Sequence, residues 1–273
     1  MSFPESHHIT VNDTHQTFNR QIDGVARCTR YAFGPNRLHL CGPDMNHEVL
    51  AYLAAGASDD GLTHILRGFQ TLYPYLKSIA HANHIRDPFN ARVIEAYWIG
   101  NELLDTITPR RYYRYITEIK QFKRTPSTNR SFDTLAEKLR HGATMHHNFH
   151  VLNVWQSMER AQKTDTLENM DKCRISWGVV RRIDGPFLTI KRKPLQSLDN
   201  KLTLGEAKSI KIIRHLDDTR FGNEIQVGDT LSLHWDIPCE IINKRETHNL
   251  KKYTDLAIAL ANQDFMNLPH NAT

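Results

Sequence analysis

The chain has 273 residues, 40% apolar and 24% charged, with 35 Lys and Arg against 30 Asp and Glu for a formal charge of +5. That usage excludes a fibrous or intrinsically disordered protein, and at roughly 100 to 150 residues per domain it predicts two domains. No run approaches the roughly 18 apolar residues of a membrane helix, and the opening MSFPESHHITVND lacks the basic-then-apolar order of a secretory signal, so a cytoplasmic protein without membrane contact is expected.

Cys28 and Cys41 bracket CTRYAFGPNRLHLC, whose Gly34-Pro35-Asn36 predicts an ordered loop. After the turn Cys41-Gly42-Pro43-Asp44, with Asp44 as a possible N-cap, HEVLAYLAAGAS reads as a first helix. A second runs from about Gly61 to Ala82 with a kink at Pro74, and a third, RVIEAYWIGNELLDTI, stops before Pro109. A fourth covers about Arg110 to Phe122. The basic KRTPSTNRS at 123–131 reads as an exposed connection, followed by helices over Phe132 to His141 and in HHNFHVLNVWQSMERA.

Near Thr164 to Asp171 the period changes to alternation: Cys173 to Val180, Phe187 to Ile190, Ser209 to Ile213 and Thr230 to Trp235 read as strands. Turns at Asp184-Gly185-Pro186 and Val227-Gly228-Asp229 separate them, as in a small closed barrel. A last helix carries the apolar stripe Leu250, Tyr253, Leu256, Ala257 and Leu260, to cap the barrel or dock on the helical half. The expected fold is α+β: an all-helical domain over 1–165, a small β-barrel with a C-terminal helix over 170–265, and a tail over 266–273.

The cysteines at 28, 41, 173 and 239 form no CxxC pair, so neither a zinc ribbon nor a disulfide framework is written here. His146 and His150, at i and i+4, would lie on one helix face and can place two imidazoles on one metal, with His147 beside them. Glu95 and Glu102, seven apart, together with His47 and Glu48, allow a carboxylate and histidine site between helices, although no helix carries the Glu-x-x-His of di-iron bundles. Each of these histidines taken alone reads as a surface group or a hydrogen-bonded core residue before it reads as a ligand. Glycine-rich phosphate loops and Gly-x-Ser-x-Gly elbows are absent. The run Arg110 to Tyr115, and Trp177 with Arg181-Arg182, can stack on and neutralise nucleic acid.

CRISWGVVRRIDG followed by VGDTLSLHWDIPCEIINKRE and a terminal helix resembles the HypC/HupF hydrogenase-maturation chaperones over about residues 173–262. Cys173, Gly178, Val180 and Ile183-Asp184-Gly185 match the family's Cys-x-x-x-Pro-Gly-x-Val opening and its turn, with Trp177 in place of the proline. Val227-Gly228-Asp229 through His234 match its later Val-Gly-Asp to His pattern. The resemblance implies a short barrel plus helix and a role in [NiFe]-hydrogenase assembly. It also implies that the Cys173 thiolate, supported by His234, holds iron carrying cyanide and carbonyl ligands, with HypD-like maturation proteins or the hydrogenase large subunit as partners. Cys173 lies inside this chain, so it has no free α-amine. Trp177, Trp235, Cys41 and Cys28 are the expected partner contacts. A chaperone or scaffold is thus expected before an enzyme. The alternatives are an iron-, di-iron- or haem-dependent enzyme seated in the helical domain and a nucleic-acid-binding barrel.

Overall fold

The structure is a computed structural model that describes residues 23–119, 129–155, 166–214 and 221–263. Helix α1 (Gly24–Arg37) begins where the Asp23 side chain accepts from the Val25 N–H. It occupies the stretch expected to be a loop, and Gly34 and Pro35 lie inside it. Gly34 serves close packing there: a Cβ would come within 2.8 Å of the His234 carbonyl oxygen. Tertiary burial has overridden the local turn signal.

Helix α2 (Asn46–Ala55) ends on Gly56 in the left-handed region, and its N-cap is Met45 instead of Asp44, which pairs with His39. The expected 61–82 helix is two, α3 (Asp60–Arg67) and α4 (Leu72–Ala82). Pro74 lies in the first turn of α4, where a helix needs no N–H, so it causes no interior kink. Helix α5 (Ala91–Trp98) stops early. Gly100 turns the chain at φ +97°, and any Cβ there would strike the Tyr253 ring at 2.0 Å. Asn101 then caps a 3-10 turn over Glu102–Leu104. Glu95 and Glu102 therefore do not share a helix face, because seven-residue spacing places groups together only on an unbroken helix.

Helix α6 (Pro109–Arg114) continues as a π-helical turn, Tyr115–Ile119, and α7 spans Asn129–Arg140. Most of the predicted connection at 123–131 lies outside the described residues. Helix α8 (His147–Phe149) widens into a second π-helical turn, His150–Trp155. Helix α9 (Leu167–Cys173), capped by Thr166, leads into the strands.

Strands β1 (Ser176–Asp184), β2 (Phe187–Arg192), β3 (Leu195–Leu198), β4 (Lys201–Leu204), β5 (Lys208–Ile213), β6 (Thr230–His234) and β7 (Ile237–Ile241) are joined by a four-residue helix α10 (Phe221–Glu224) before β6 and followed by α11 (Lys244–Ala261). Pairing is antiparallel throughout, in a five-stranded sheet of order β5-β2-β1-β6-β7 and a separate β3-β4 ribbon. The sequence pattern predicts a closed barrel, yet among the described residues no pairing joins β5 to β7. The sheet is open, and α1 packs on β6 and β7. The β3-β4 and β6-β7 turns each place two residues at positive φ, Asp199-Asn200 and Trp235-Asp236, the conformation that suits the right-handed twist of a two-residue hairpin.

One buried cluster draws on both ends of the chain: Tyr31, Leu66, Tyr75, Ile94 and Leu152 pack in it with Ile175, Cys239, Leu250, Tyr253, Ala257 and Leu260. The stripe on α11 thus docks on the helical half, with Leu256 at its margin. A fully buried leucine of this kind contributes roughly 1.5–3 kcal/mol. A smaller cluster, Val180, Leu188, Ile190, Ile212, Leu231 and Leu233, belongs to the sheet. Asp171 on α9 ties the layers: it accepts from Arg174 at 3.0 Å and from the Leu195 N–H at 2.8 Å, and pairs with Arg192 at 2.9 Å. No described helix is long and apolar enough to cross a membrane.

Candidate metal centre

The hairpin turn after β6 docks beside the end of α9, with the Trp235 N–H donating to the Lys172 carbonyl at 2.7 Å. This brings His234, the last residue of β6, to Cys173, the last of α9, and to His147, the first of α8. One donor atom from each residue lies within 4.8 Å of the other two, and no other such trio of His, Cys, Asp or Glu occurs among the described residues.

Each imidazole is oriented by a backbone carbonyl. In α1, Pro35 has no N–H to give the Tyr31 carbonyl four residues earlier, and that carbonyl accepts from His234 Nδ1 at 2.7 Å. The proton is thereby fixed on Nδ1 and the lone pair on Nε2, which is buried and has no hydrogen-bond partner. His147 differs: its Nε2–H donates at 2.9 Å to the carbonyl of Cys173, a helix-end oxygen that needs a donor, while Nδ1 meets the Tyr97 hydroxyl at 3.2 Å. Next to it, Asn148 grips Ile175 at both backbone groups, at 2.9 and 2.7 Å. The Trp98 ring lies 4.6 Å from His147 and 5.4 Å from His234, and it stacks on Tyr31.

Burial dominates the electrostatics. It pushes His234 down to about 4, partly opposed by the Tyr31 and Cys173 carbonyls, and holds His147 well below the ordinary histidine value, with His234 adding to the effect and the Cys173 carbonyl opposing it. Both imidazoles are neutral at neutral pH, the form that binds metal. One sulfur and two imidazole nitrogens suit iron, zinc or copper, and three protein ligands leave a coordination position for an exogenous group. The negative end of the α9 dipole does nothing to favour a lone thiolate, whereas a bound cation deprotonates a coordinating thiol outright. The arrangement therefore fits a metal ligand better than an activated nucleophile.

The chain belongs to a family of unknown function (DUF6390). The DUF6390 match covers residues 20–267, the helical half and the sheet alike. No curated protein and no solved structure matches this chain.

The other expected ligands of this DUF6390 chain lie elsewhere. His146 precedes its helix in extended conformation and caps it, accepting from the Asn148 N–H at 3.1 Å. It stacks on Tyr253, and burial pushes it down to about 3. The shared face with His150 is lost because the helix begins at His147 and widens at His150, which meets the Tyr75 hydroxyl at 3.1 Å. Glu95 is buried in ion pairs with Arg245 at 2.7 Å and Arg27 at 3.8 Å, Glu102 is exposed and paired with Arg92, and His47 and Glu48 are exposed on α2. Cys28 is fully buried, and burial pushes its thiol up. Cys41 is half-buried, and both it and Cys173 act electrostatically on the Tyr97 hydroxyl. Trp177 and Trp235 are half-buried on β1 and at the hairpin turn.

A second buried cluster adjoins the first. Arg27 donates to Glu240 through Nε and Nη2, each at 2.8 Å, and to Glu246 at 3.2 Å. The Tyr31 hydroxyl donates to Glu240 and lies 2.9 Å from Ser232. Burial opposes the Arg27 charge, but Glu240, Tyr31 and Glu246 together outweigh it and hold the guanidinium above its usual value.

Proposed function

We propose that this chain is a metal-handling accessory protein whose cargo is iron, held by Cys173 with His234 and His147. In this reading it works in the cytoplasm on [NiFe]-hydrogenase assembly, with maturation proteins or the hydrogenase large subunit as partners. The observation that carries the reading is the convergence of a thiol and two neutral imidazoles within 4.8 Å, reached from three separate elements. Hydrogen bonds to the Tyr31 and Cys173 carbonyls hold the two imidazoles there, and the meeting leaves a buried imidazole nitrogen without a hydrogen-bond partner beside a thiol. The resemblance of Cys173 to Gly185 and of Val227 to His234 to hydrogenase-maturation chaperones supplies the client.

In this role the soft thiolate of Cys173 is the principal anchor, and His234, preset by the Tyr31 carbonyl, offers Nε2 without rearrangement. Capture of the cation releases the thiol proton. The β half, barrel-like in its sequence pattern, brings His234 to the site, and the helical half supplies His147 and the aromatic wall of Trp98, Tyr31 and Tyr97.

Anaerobic expression with candidate maturation partners, followed by iron analysis and infrared spectra in the cyanide and carbonyl region, tests the proposal. Iron and diatomic bands that disappear in Cys173→Ala are the expected result. Iron retained in full by Cys173→Ala, or a chain that never takes up metal, would sink it.

A further inference from the structure

The two imidazoles of the site are held in opposite ways. His234 has its proton on Nδ1, fixed by the Tyr31 carbonyl, and a buried Nε2 with no hydrogen-bond partner of good geometry, although the Cys173 carbonyl lies near the ring. His147 has both nitrogens engaged: Nε2–H holds the Cys173 carbonyl, and Nδ1 accepts from the Tyr97 hydroxyl. From this asymmetry we propose that His147 is a tautomeric latch on metal loading and that Tyr97 is the positioning residue that lets it open. The inference rests on the metal-site reading given above.

Before loading, His234 Nε2 already stands beside the Cys173 thiol. For His147 to join through Nε2, its proton must leave that nitrogen and the other ring nitrogen must take one up. The total on the imidazole is unchanged, and the only proton lost from the site is that of the Cys173 thiol. Nδ1–H then needs an acceptor, and the one polar atom already in place is the Tyr97 hydroxyl oxygen, which reverses from donor to acceptor. Tyr97 is buried and lies in ring contact with both His147 and Trp98, so it is held in position through the exchange. This is the outer hydrogen bond that metal-ligating histidines generally require.

Opening the latch also releases a backbone group. The Cys173 carbonyl, which also lies against His234, gives up its hydrogen bond from His147 at the end of α9, while Asn148 continues to hold Ile175 two residues on. Loading is thereby coupled to the joint between α9 and β1, where the polypeptide passes from the helices to the sheet.

Zinc, which is diamagnetic, serves as the probe. Histidine-selective 15N NMR on the full chain is expected to show His147 as the Nε2–H tautomer without zinc and as the Nδ1–H tautomer with it, while His234 stays Nδ1–H in both states. Tyr97→Phe removes one oxygen and keeps the ring, so the fold, checked by circular dichroism, is retained. Its zinc affinity is expected to fall about 10- to 100-fold, the usual effect of losing such an outer partner. A wild-type chain that takes up no zinc overturns the latch and the metal site together. Zinc bound with His147 still in the Nε2–H form, or a folded Tyr97→Phe that binds zinc as tightly as wild type, overturns the latch alone and leaves the site standing.

Discussion

Tyr31 belongs to two buried polar clusters at once: its hydroxyl donates to Glu240 in the charged one, and its carbonyl accepts from His234 in the neutral one. In the first, Arg27 makes three hydrogen bonds to Glu240 and a fourth to Glu246, and the Glu246 side chain also completes the capping box of α11. In the second, the imidazole Nε2 of His234 has no partner, and a thiol and a second imidazole stand beside it. A buried polar group left unpaired costs roughly 1–3 kcal/mol, so the two clusters divide into one closed on itself and one incomplete by itself. The closed cluster is the fastening between helices and sheet, and the incomplete one is where a ligand belongs.

The largest effect expected from this contrast is on the fastening. Arg27→Ala leaves Glu240 and Glu246 buried without their cation, which should cost about 3–5 kcal/mol of stability, read as a lower urea midpoint. Zinc binding measured under conditions where the variant is folded should change little. If stability is kept but zinc binding is lost, the division of roles is reversed.

Acid should act on the buried imidazoles first. His234 and His146 are held near 4 and 3 against an ordinary value of 6.5, so the unfolded chain binds more protons than the folded one below about pH 6.5. Stability then falls as pH drops from about 6.5 toward 4, by ~1.4 kcal/mol per unit for each imidazole. Burial raises the Glu246 carboxyl instead, so its protonation favours the folded state and acts in the opposite sense. A urea midpoint that stays flat between pH 7 and 4.5 would show that these imidazoles are not kept neutral by folding.

Pro35 sharpens the comparison at the atom the two clusters share. Pro35→Ala restores an N–H able to bond the Tyr31 carbonyl, in competition with His234 Nδ1, while the hydroxyl end of Tyr31 is untouched. Zinc affinity should drop about 10-fold, the lower end for an outer hydrogen bond to a ligating histidine, with stability equal to wild type or higher. Unchanged affinity would mean that the carbonyl does not orient His234.

This residue also shows where reading the sequence stops. Gly34-Pro35-Asn36 has the local chemistry of a turn, and only the packing of α1 on β6 turns the same residues into a close approach and a freed carbonyl. Cys173 and His234 are legible because the first opens and the second closes a short patterned strand motif. His147 stands in a run of histidines where spacing alone favours the pair His146 and His150, and nothing local reveals that the helix starts one residue later. The helices themselves are visible in the 3.6-residue period, but the break after Trp98 is not, since it depends on Gly100 meeting the ring of Tyr253, 153 residues away. Strands β3 and β4 escape the alternation pattern because their turn is built on Asp199-Asn200 at positive φ without a glycine.

The smallest effect comes from the rim of the charged cluster, where the same kind of pair should count for little. Arg245 is paired with Glu95 at 2.7 Å, yet more than half of its side chain is in solvent. Glu95 also has Arg27 at 3.8 Å, so Arg245→Gln does not strand a buried carboxylate. The loss should stay within ~1 kcal/mol and shrink further in high salt, as for exposed ion pairs generally. A loss as large as that of Arg27→Ala would mean that the fastening extends to the surface and that Glu95, not Glu240, is its central carboxylate. The contrast with the metal site would then be one of charge against neutrality alone, not of closed against open bonding.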